Sequence, residues 1–252
     1  MTERAPPPNP RKVRSYVLRA GRITAAQENA LDRLWPRFGI EFDGGRLDFD
    51  QLFGRTAPVT VEIGFGNGEQ LSALAQARPQ CNFLGIEVHR PGVGRLLREA
   101  EGLALANLRV ICHDAAEVFA RGIEAGSLDE VLVLFPDPWH KKRHHKRRLI
   151  QPQFVALIAR SLRTGGALRL ATDWQDYAEQ MQSICNDAAA LCSLAPDGGF
   201  VARPAWRIRT RFEQRGRRLG HGVWDLGYLK SEGTAQSVDD KLHGQCPEHD
   251  SE

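Results

Sequence analysis

Acidic side chains and a glycine-rich turn follow apolar segments in the middle of this sequence. Three glycines, Gly64, Gly66 and Gly68, come directly after an apolar run that contains Glu62. Glycines let the backbone turn sharply and let a ligand approach closely. A nicotinamide-binding loop would need a glycine at position 69, which is Glu69, and no Gly-Lys-Ser/Thr follows. The turn therefore indicates a binding loop that is neither a dinucleotide loop nor a P-loop.

Two further carboxylates stand after the next two apolar runs. Glu87 closes the run at 83–86, where a carboxylate can accept hydrogen bonds from both ribose hydroxyls. Asp114 follows the run at 108–112 and could accept from an adenine amine. Together with Glu62 they predict a ligand with adenine, ribose and positive charge. S-adenosylmethionine fits, because carboxylates attract its sulfonium and ammonium groups. The alternative is that these acids cap helices.

A carboxylate between two prolines follows the fourth apolar run. Asp137 lies between Pro136 and Pro138, and Trp139 comes next. Prolines fix their own φ and restrict the residue before them, so this loop is expected to be stiff. A carboxylate on a stiff loop beside an aromatic ring can hold a planar base by its edge. The alternative is a rigid exit from a strand.

Two basic clusters follow in the chain. Residues 141–148 carry six fixed positive charges and no acid, and residues 203–218 carry seven arginines against Glu213. Blocks of one sign repel themselves unless a polyanion is near, so nucleic-acid contact is expected. A base-holding loop joined to a phosphate-holding segment is consistent with RNA recognition. For Glu213 an internal salt bridge is the alternative, and no metal role is expected for His144 and His145.

Composition sets the broad class. The 252 residues are 42% hydrophobic and 26% charged, which is typical of globular proteins and excludes collagen, coiled coils and wholly disordered chains. No apolar run reaches the roughly 18 residues of a membrane span. Residues 1–10 are polar and proline-rich, so no signal peptide is recognised and cytoplasmic residence is expected.

Apolar strands alternate with helices over most of the chain, which predicts a parallel sheet covered on both faces. Ligands of such sheets bind beyond the carboxyl ends of the strands. Strands are predicted at 59–64, 83–88, 108–112, 130–135 and 167–171, and helices at 69–77, 92–101, 115–120, 153–162 and 174–191. Two more strands, which would be antiparallel, are predicted at 206–212 and 223–229.

Thr24 and Gln27 form a predicted capping box that opens a helix through about Leu34, and residues 36–57 resemble a loop. In the strand predicted at 206–212, Arg207, Arg209 and Arg211 would share one face. The predicted organisation is a basic disordered arm at 1–22, an N-terminal helix and linker at 23–57, the main domain at 58–231 and an acidic disordered tail at 232–252.

Several motifs together resemble one enzyme family, the bacterial tRNA (guanine-N7)-methyltransferases. The two most specific are FPDPWHKKRHHKRRL at 135–149 and TRFEQRGRRLGH at 210–221. The others are VEIGFGNG at 61–68, GIEVHRPGV at 85–93, ATDW at 171–174 and VWDL at 223–226. The resemblance implies an α/β, Rossmann-like S-adenosylmethionine-dependent fold, with a mainly parallel sheet and C-terminal antiparallel strands. It does not extend to residues 1–22 or 232–252.

The resemblance also implies methyl transfer from S-adenosylmethionine to N7 of guanine 46 in the variable loop of tRNA, by a monomer or homodimer without a metal. Asp137 would be the catalytic carboxylate. Three groups of binding residues are implied: Glu62, Gly64, Gly66, Gly68, Glu87, Asp114 and Asp137 for the cofactor; Lys141, Asp173, Thr210, Arg211, Phe212 and Glu213 for the substrate; and Arg143, His144, His145, Lys146, Arg147 and Arg148 for RNA.

Two alternatives remain open. An amino-group methyltransferase acting on adenine or cytosine carries an Asp/Asn-Pro-Pro-aromatic loop, which the order Pro-Asp-Pro-Trp at 136–139 resembles only in part. A non-catalytic RNA-binding protein with a relic cofactor fold is the other, although the intact acids and glycines argue against it.

Overall fold

The computed structural model describes residues 15–16, 23–209, 213 and 222–232. The strands of this part are β1 (Gly39–Ile40), β2 (Val59–Ile63), β3 (Asn82–Ile86), β4 (Leu108–Ile111), β5 (Leu128–Leu134), β6 (Leu162–Thr172), β7 (Leu191–Ser193) and β8 (Trp224–Lys230). Its helices are α1 (Ala25–Phe38), α2 (Phe49–Phe53), α3 (Glu69–Ala77), α4 (Arg90–Gly102), α5 (Ala115–Arg121), α6 (Pro152–Ser161) and α7 (Gln175–Asn186), with a 3₁₀ helix at Lys142–Arg147.

These strands form one sheet in the order β1-β4-β3-β2-β5-β6-β8-β7. Neighbours among β1 to β6 pair in parallel, whereas β8 runs antiparallel to both β6 and β7. The predicted mainly parallel sheet with an antiparallel C-terminal part is therefore confirmed. The carboxyl ends of β2 to β6 meet at one edge of the sheet, which we call the carboxyl edge.

Helices cover the sheet on both faces. One apolar cluster includes Phe119 of α5, Phe154 of α6 and Tyr177 of α7. The other includes Phe38 of α1 and Leu96 of α4, together with residues of α3. Every residue of β2 and β3 is buried, including the polar Thr60 and Glu62 of β2, as expected for strands of a parallel sheet that is covered on both faces.

The N-terminal part is more ordered than the sequence predicts. The capping box is confirmed, because the Thr24 Oγ1 atom accepts from the Gln27 N–H and the Thr24 N–H donates to Gln27 Oε1 at 2.9 Å. The helix runs on to Phe38, however, and the expected loop at 36–57 contains β1 and α2. β1 pairs with β4 at the margin of the sheet. Residues before 58 therefore contribute to the same fold.

The strand predicted at 206–212 is wrong for its described residues, since 206 and 207 lie in a turn and a bend, and 208–209 belong to no strand. The alternating arginines were expected to share one face of that strand, but Arg207 is 1% exposed and forms an ion pair with Asp225 of β8. The predicted last helix is also too long, because α7 ends at Asn186 and Leu191 begins β7.

Substitution of Leu34 in α1 tests whether this helix belongs to the main core. Leu34 is 3% exposed and lies in the same cluster as Leu96. We expect Leu34→Ala to lower the free energy of unfolding by about 2–5 kcal/mol in a single urea transition. The exposed Asn29→Ala variant in the same helix should change it by less than about 0.5 kcal/mol. A separate early transition in the Leu34 variant would show that α1 is an independent unit.

Candidate active site

The glycine turn after β2 has the backbone geometry that its sequence predicts. Gly64, Gly66 and Gly68 have φ of 70°, 58° and 81°, a region that residues with a Cβ rarely adopt. At Gly92, the third residue of α4, a Cβ atom would lie 2.0 Å from the Gly66 carbonyl oxygen. The turn is therefore pressed against α4, and its backbone faces the carboxyl edge.

Glu87 holds this turn through its carboxylate. Its Oε2 atom accepts from the Gly66 N–H at 2.9 Å, and its Oε1 atom accepts from the Val88 N–H at 2.6 Å and the His89 N–H at 2.9 Å. Three backbone N–H groups thus donate to this side chain, which is 9% exposed. The predicted contact with ribose hydroxyls is not tested by these bonds.

Glu62 lies beside Glu87 and is less well accommodated. It is 3% exposed, and its Oε2 atom is buried without a hydrogen-bond partner. Burial, and then the charge of Glu87, raise the pKa of Glu62 to about 8. A buried carboxyl group with an unpaired oxygen is unusual, because proteins normally satisfy such atoms. A cationic ligand would supply the positive charge that Glu62 and Glu87 lack. The acidic wall that these two side chains form therefore suits the sulfonium and ammonium of S-adenosylmethionine.

Asp114 combines a structural role with its predicted one. It is the N-cap of α5, and its Oδ1 atom accepts from the Ala116 N–H at 2.9 Å. Helix capping, the alternative that the sequence left open, is therefore present. The side chain is half-buried after β4, next to the end of β3 that carries Glu87, so the cap places it where a cofactor contact is expected.

The segment Phe135–Trp139, which we call the reactive loop, leaves the carboxyl end of β5 in a strained conformation. Phe135 and Trp139 have φ of 54° and 47°, which costs roughly 1–3 kcal/mol for each non-glycine residue. The Phe135 N–H donates to the Ala171 carbonyl of β6 at 2.7 Å. Asp137, in the middle of the loop, is exposed. Strain of this kind persists only where surrounding contacts hold it.

Two buried arginines contact the reactive loop at its ends. The Arg207 guanidinium lies 5.3 Å from the centroid of the Phe135 ring. Arg148 donates from Nε to the Pro138 carbonyl at 2.8 Å. The sequence analysis missed both contacts, because it counted these arginines only as members of basic clusters.

Arg148 requires a correction, since it was predicted to contact RNA. It is 2% exposed and forms an ion pair with Asp176 of α7, which lowers the pKa of that carboxyl group. Its guanidinium also bonds Gln180 Oε1 at 2.5 Å and lies 4.8 Å from the Tyr177 ring centroid. These internal partners leave it no surface for a phosphate.

The rest of the basic block, which we call the basic segment (141–147), fits RNA contact better. Lys141, Lys142, Arg143 and Lys146 are exposed, and the 3₁₀ helix has no buried residue. Arg147 lies 4.9 Å from the centroid of the Trp139 ring. The segment thus begins two residues after the reactive loop and presents its charges beside it. His144 and His145 are half-buried within it.

Glu213 also requires a correction. It was predicted to bind substrate, but it is 2% exposed and accepts from Arg207 Nη1 at 2.6 Å. Arg207 also donates to both carboxylate oxygens of Asp225, at 2.7 and 2.9 Å. The internal salt bridge considered as its alternative is therefore what the structure shows. The predicted substrate residues Thr210, Arg211 and Phe212 lie outside the described residues.

Asp173 opens onto a cavity of about 470 Å³ at the carboxyl end of β6. Trp174 and Trp224 line it together with Asp176, Glu179 and neighbouring residues. The Trp174 ring also packs against the core and meets the His140 ring at a centroid distance of 4.1 Å. The same side chain thus lines this cavity and packs against the core. Sequence analysis missed Trp224, which stands at the start of β8.

The described residues contain neither a candidate metal cluster nor a candidate membrane helix. Among them no group of three or more His, Cys, Asp or Glu side chains is arranged to hold a metal ion. Within the same ranges, no helix is long and apolar enough to cross a membrane.

Comparison with known proteins agrees with this geometry. Residues 56–226 match the model of the family described as "Putative methyltransferase". The tRNA (guanine-N(7)-)-methyltransferase of Alcanivorax borkumensis is 56% identical over 87% of this chain and 92% of its own. The enzyme of that name from Methylococcus capsulatus is 55% identical over 88% of this chain and 96% of its own.

Among solved structures, the 16S rRNA methyltransferase KamB superposes with a TM-score of 0.52 at 17% identity, covering 73% of this chain and 93% of its own, which shows a shared fold only. The level of identity to the curated relatives is decisive, and this chain belongs to the family of tRNA (guanine-N(7)-)-methyltransferases.

Proposed function

We propose that this protein transfers the methyl group of S-adenosylmethionine to N7 of guanine 46 in the variable loop of tRNA, giving 7-methylguanosine. The observation that carries the proposal is the meeting of three features at one edge of the sheet: the acidic wall of Glu62 and Glu87, the reactive loop and the exposed basic segment. The kinship with enzymes named for this tRNA reaction supports it. Cytoplasmic residence and a monomeric or homodimeric state stay predictions.

The residues of the carboxyl edge fit the cofactor. Glu87 and Asp114 offer carboxylates toward the ribose and adenine, and the glycine turn allows close approach of the backbone. The unpaired carboxyl oxygen of Glu62 offers charge compensation for the cationic end. When bound, S-adenosylmethionine supplies an electrophilic methyl group on a sulfonium.

The chemistry expected of the chain itself is mainly alignment. Guanine N7 carries a free lone pair and no proton, so no general base is needed. Holding the base in line with the methyl donor can lower the barrier by roughly 7–11 kcal/mol. Asp173 and the adjoining cavity, with its two tryptophans, would receive the purine, while Lys141 and the exposed residues of the basic segment would bind phosphates.

Asp137 is the proposed catalytic carboxylate. It is exposed on the strained reactive loop, where it can face a base that lies across the carboxyl edge. Methylation places positive charge on the purine, and a nearby carboxylate would stabilise that charge. The same carboxylate could instead hold the base through its N1 and N2 donors.

Replacement of Asp137 tests the function and separates these two roles. We expect Asp137→Ala to lower kcat by about 100-fold or more while the Kd for tRNA stays within two-fold. Asp137→Asn keeps a hydrogen-bond acceptor without the charge, so a rate near that of the alanine variant indicates charge stabilisation, and a partial recovery indicates positioning. The assay is transfer of labelled methyl groups to unmodified tRNA, followed by nucleoside identification.

The control is Asp187→Ala, an exposed carboxylate just after α7. Methyladenosine or methylcytidine as the product would favour an amino-methyltransferase. No transfer by the wild type, or an undiminished rate in Asp137→Ala, would contradict the proposal.

Cofactor binding should depend on the protonation of Glu62. With a pKa of about 8 the side chain is mostly neutral at pH 7 in the free protein, and a bound cation favours its ionised form. We expect the Kd for S-adenosylmethionine to fall roughly five-fold from pH 7 to pH 8, measured by titration calorimetry. Glu62→Gln should flatten this pH dependence, and an equal slope in both proteins would exclude Glu62 as its source.

The basic segment should bind phosphates without selecting the base. We expect the Lys146→Ala/Arg147→Ala variant to flatten the plot of log affinity for tRNA against log salt by roughly 0.7–0.9 per lost contact. Arg46→Ala/Arg163→Ala removes the same charge from exposed positions, with Arg163 at the amino-terminal end of β6. An unchanged slope in the first variant, or an equal change in the second, would contradict this role.

A further inference from the structure

Arg148 links three parts of the molecule that the reaction needs. It directly follows the basic segment as the C-cap of the 3₁₀ helix, it donates to the Pro138 carbonyl in the reactive loop, and it bonds Asp176 and Gln180 of α7. A fourth contact joins its Nη2 atom to His145 Nε2 at 3.1 Å. Each of these contacts is made by one guanidinium whose exposure is 2%.

The geometry of these contacts explains why an arginine is present. Its Nε, Nη1 and Nη2 atoms donate in three directions within one plane, to the reactive loop, to α7 and to the basic segment. One face of that plane is covered by the ring of Tyr177 at 4.8 Å. A lysine has the same charge but a single donor atom, and it cannot bridge these groups at once.

The reactive loop needs such a support because its ends are strained. Trp139, at its C-terminal end, has a φ of 47°, and the Pro138 carbonyl that Arg148 holds belongs to the preceding residue. At the other end Phe135 has a φ of 54° and lies against the buried Arg207. Asp137 therefore lies between Phe135 and Pro138, each of which is held by a contact with a buried arginine.

We propose that Arg148 is a positioning residue that holds the reactive loop so that Asp137 meets the base, rather than an RNA-binding residue of the basic segment. This inference depends on the proposed function in taking Asp137 as the catalytic carboxylate. The holding of the loop itself is a property of the free protein and can be measured without any substrate.

The test compares Arg148→Lys with a matched arginine elsewhere in the fold. Arg109 donates from Nε to the Leu52 carbonyl at 3.0 Å, and its guanidinium lies 5.2 Å from the Phe53 ring centroid. Arg109→Lys therefore removes the carbonyl and ring contacts of a half-buried guanidinium at a distance from the reactive loop. For each variant we would measure the single-turnover rate of methyl transfer, the Kd for tRNA with its salt dependence, the Kd for S-adenosylmethionine, and amide hydrogen exchange.

We expect Arg148→Lys to slow the single-turnover rate at least ten-fold, with both Kd values within three-fold of the wild type and the salt slope unchanged. Exchange should rise selectively in the peptide that spans the reactive loop. Arg109→Lys should keep the wild-type rate and leave exchange in that peptide unchanged.

Three results would overturn the inference. A weaker Kd for tRNA with a flatter salt slope would make Arg148 a phosphate ligand. Amide hydrogen exchange that rises throughout the chain, together with an equal loss of the single-turnover rate in Arg109→Lys, would show that Arg148 contributes only to general stability. An unchanged rate would show that the loop needs no such support. Failure of the proposed function has a different signature, which is the absence of 7-methylguanosine with the wild-type protein while exchange of the loop still responds to Arg148→Lys.

Discussion

Burial of two neighbouring carboxyl groups, Glu62 and Glu87, together with the repulsion between them, is the constraint on which the carboxyl edge depends. The carboxylate oxygens of Glu87 accept from three backbone N–H groups. Glu62 has no donor for one of its oxygens, so burial and the charge of Glu87 keep its pKa high. An anionic group such as a pyrophosphate would add to this repulsion, whereas a sulfonium or ammonium relieves it. We therefore expect this edge to favour a cation over an anion on charge alone.

Arginines in this protein serve two different purposes, and burial separates them. Arg148 and Arg207 are almost wholly enclosed, and each is paired with carboxylates of other elements. Removing one partner of such a pair is costly, because it leaves a buried charge uncompensated. The exposed residues of the basic segment are free of that constraint and suit a polyanion. Arg148 directly follows the basic segment in the chain, so the support of the reactive loop adjoins an exposed cationic surface.

Much of the fold could be predicted from the sequence, because its signals are local. Continuous apolar runs identified β2 to β6, and Thr24 with Gln27 identified the start of α1. Whether an individual arginine is buried or exposed could not be predicted, because the carboxylate partners of Arg148 and Arg207 lie 28 and 18 residues further along the chain. The alternating pattern at 206–212 was misread for this reason. The two-residue strand β1 is too short to give any periodic signal.

The pairing of β1 with β4 has a practical consequence for anyone who shortens this protein. The family match begins at residue 56, yet α1 covers Leu96 and its neighbours, and β1 covers the outer margin of β4. A protein shortened to the matched residues would expose the apolar surface around Leu96. It would also expose the main-chain N–H and C=O groups along the outer margin of β4. An exposed strand edge beside an apolar surface can pair with other copies of the chain, which promotes aggregation.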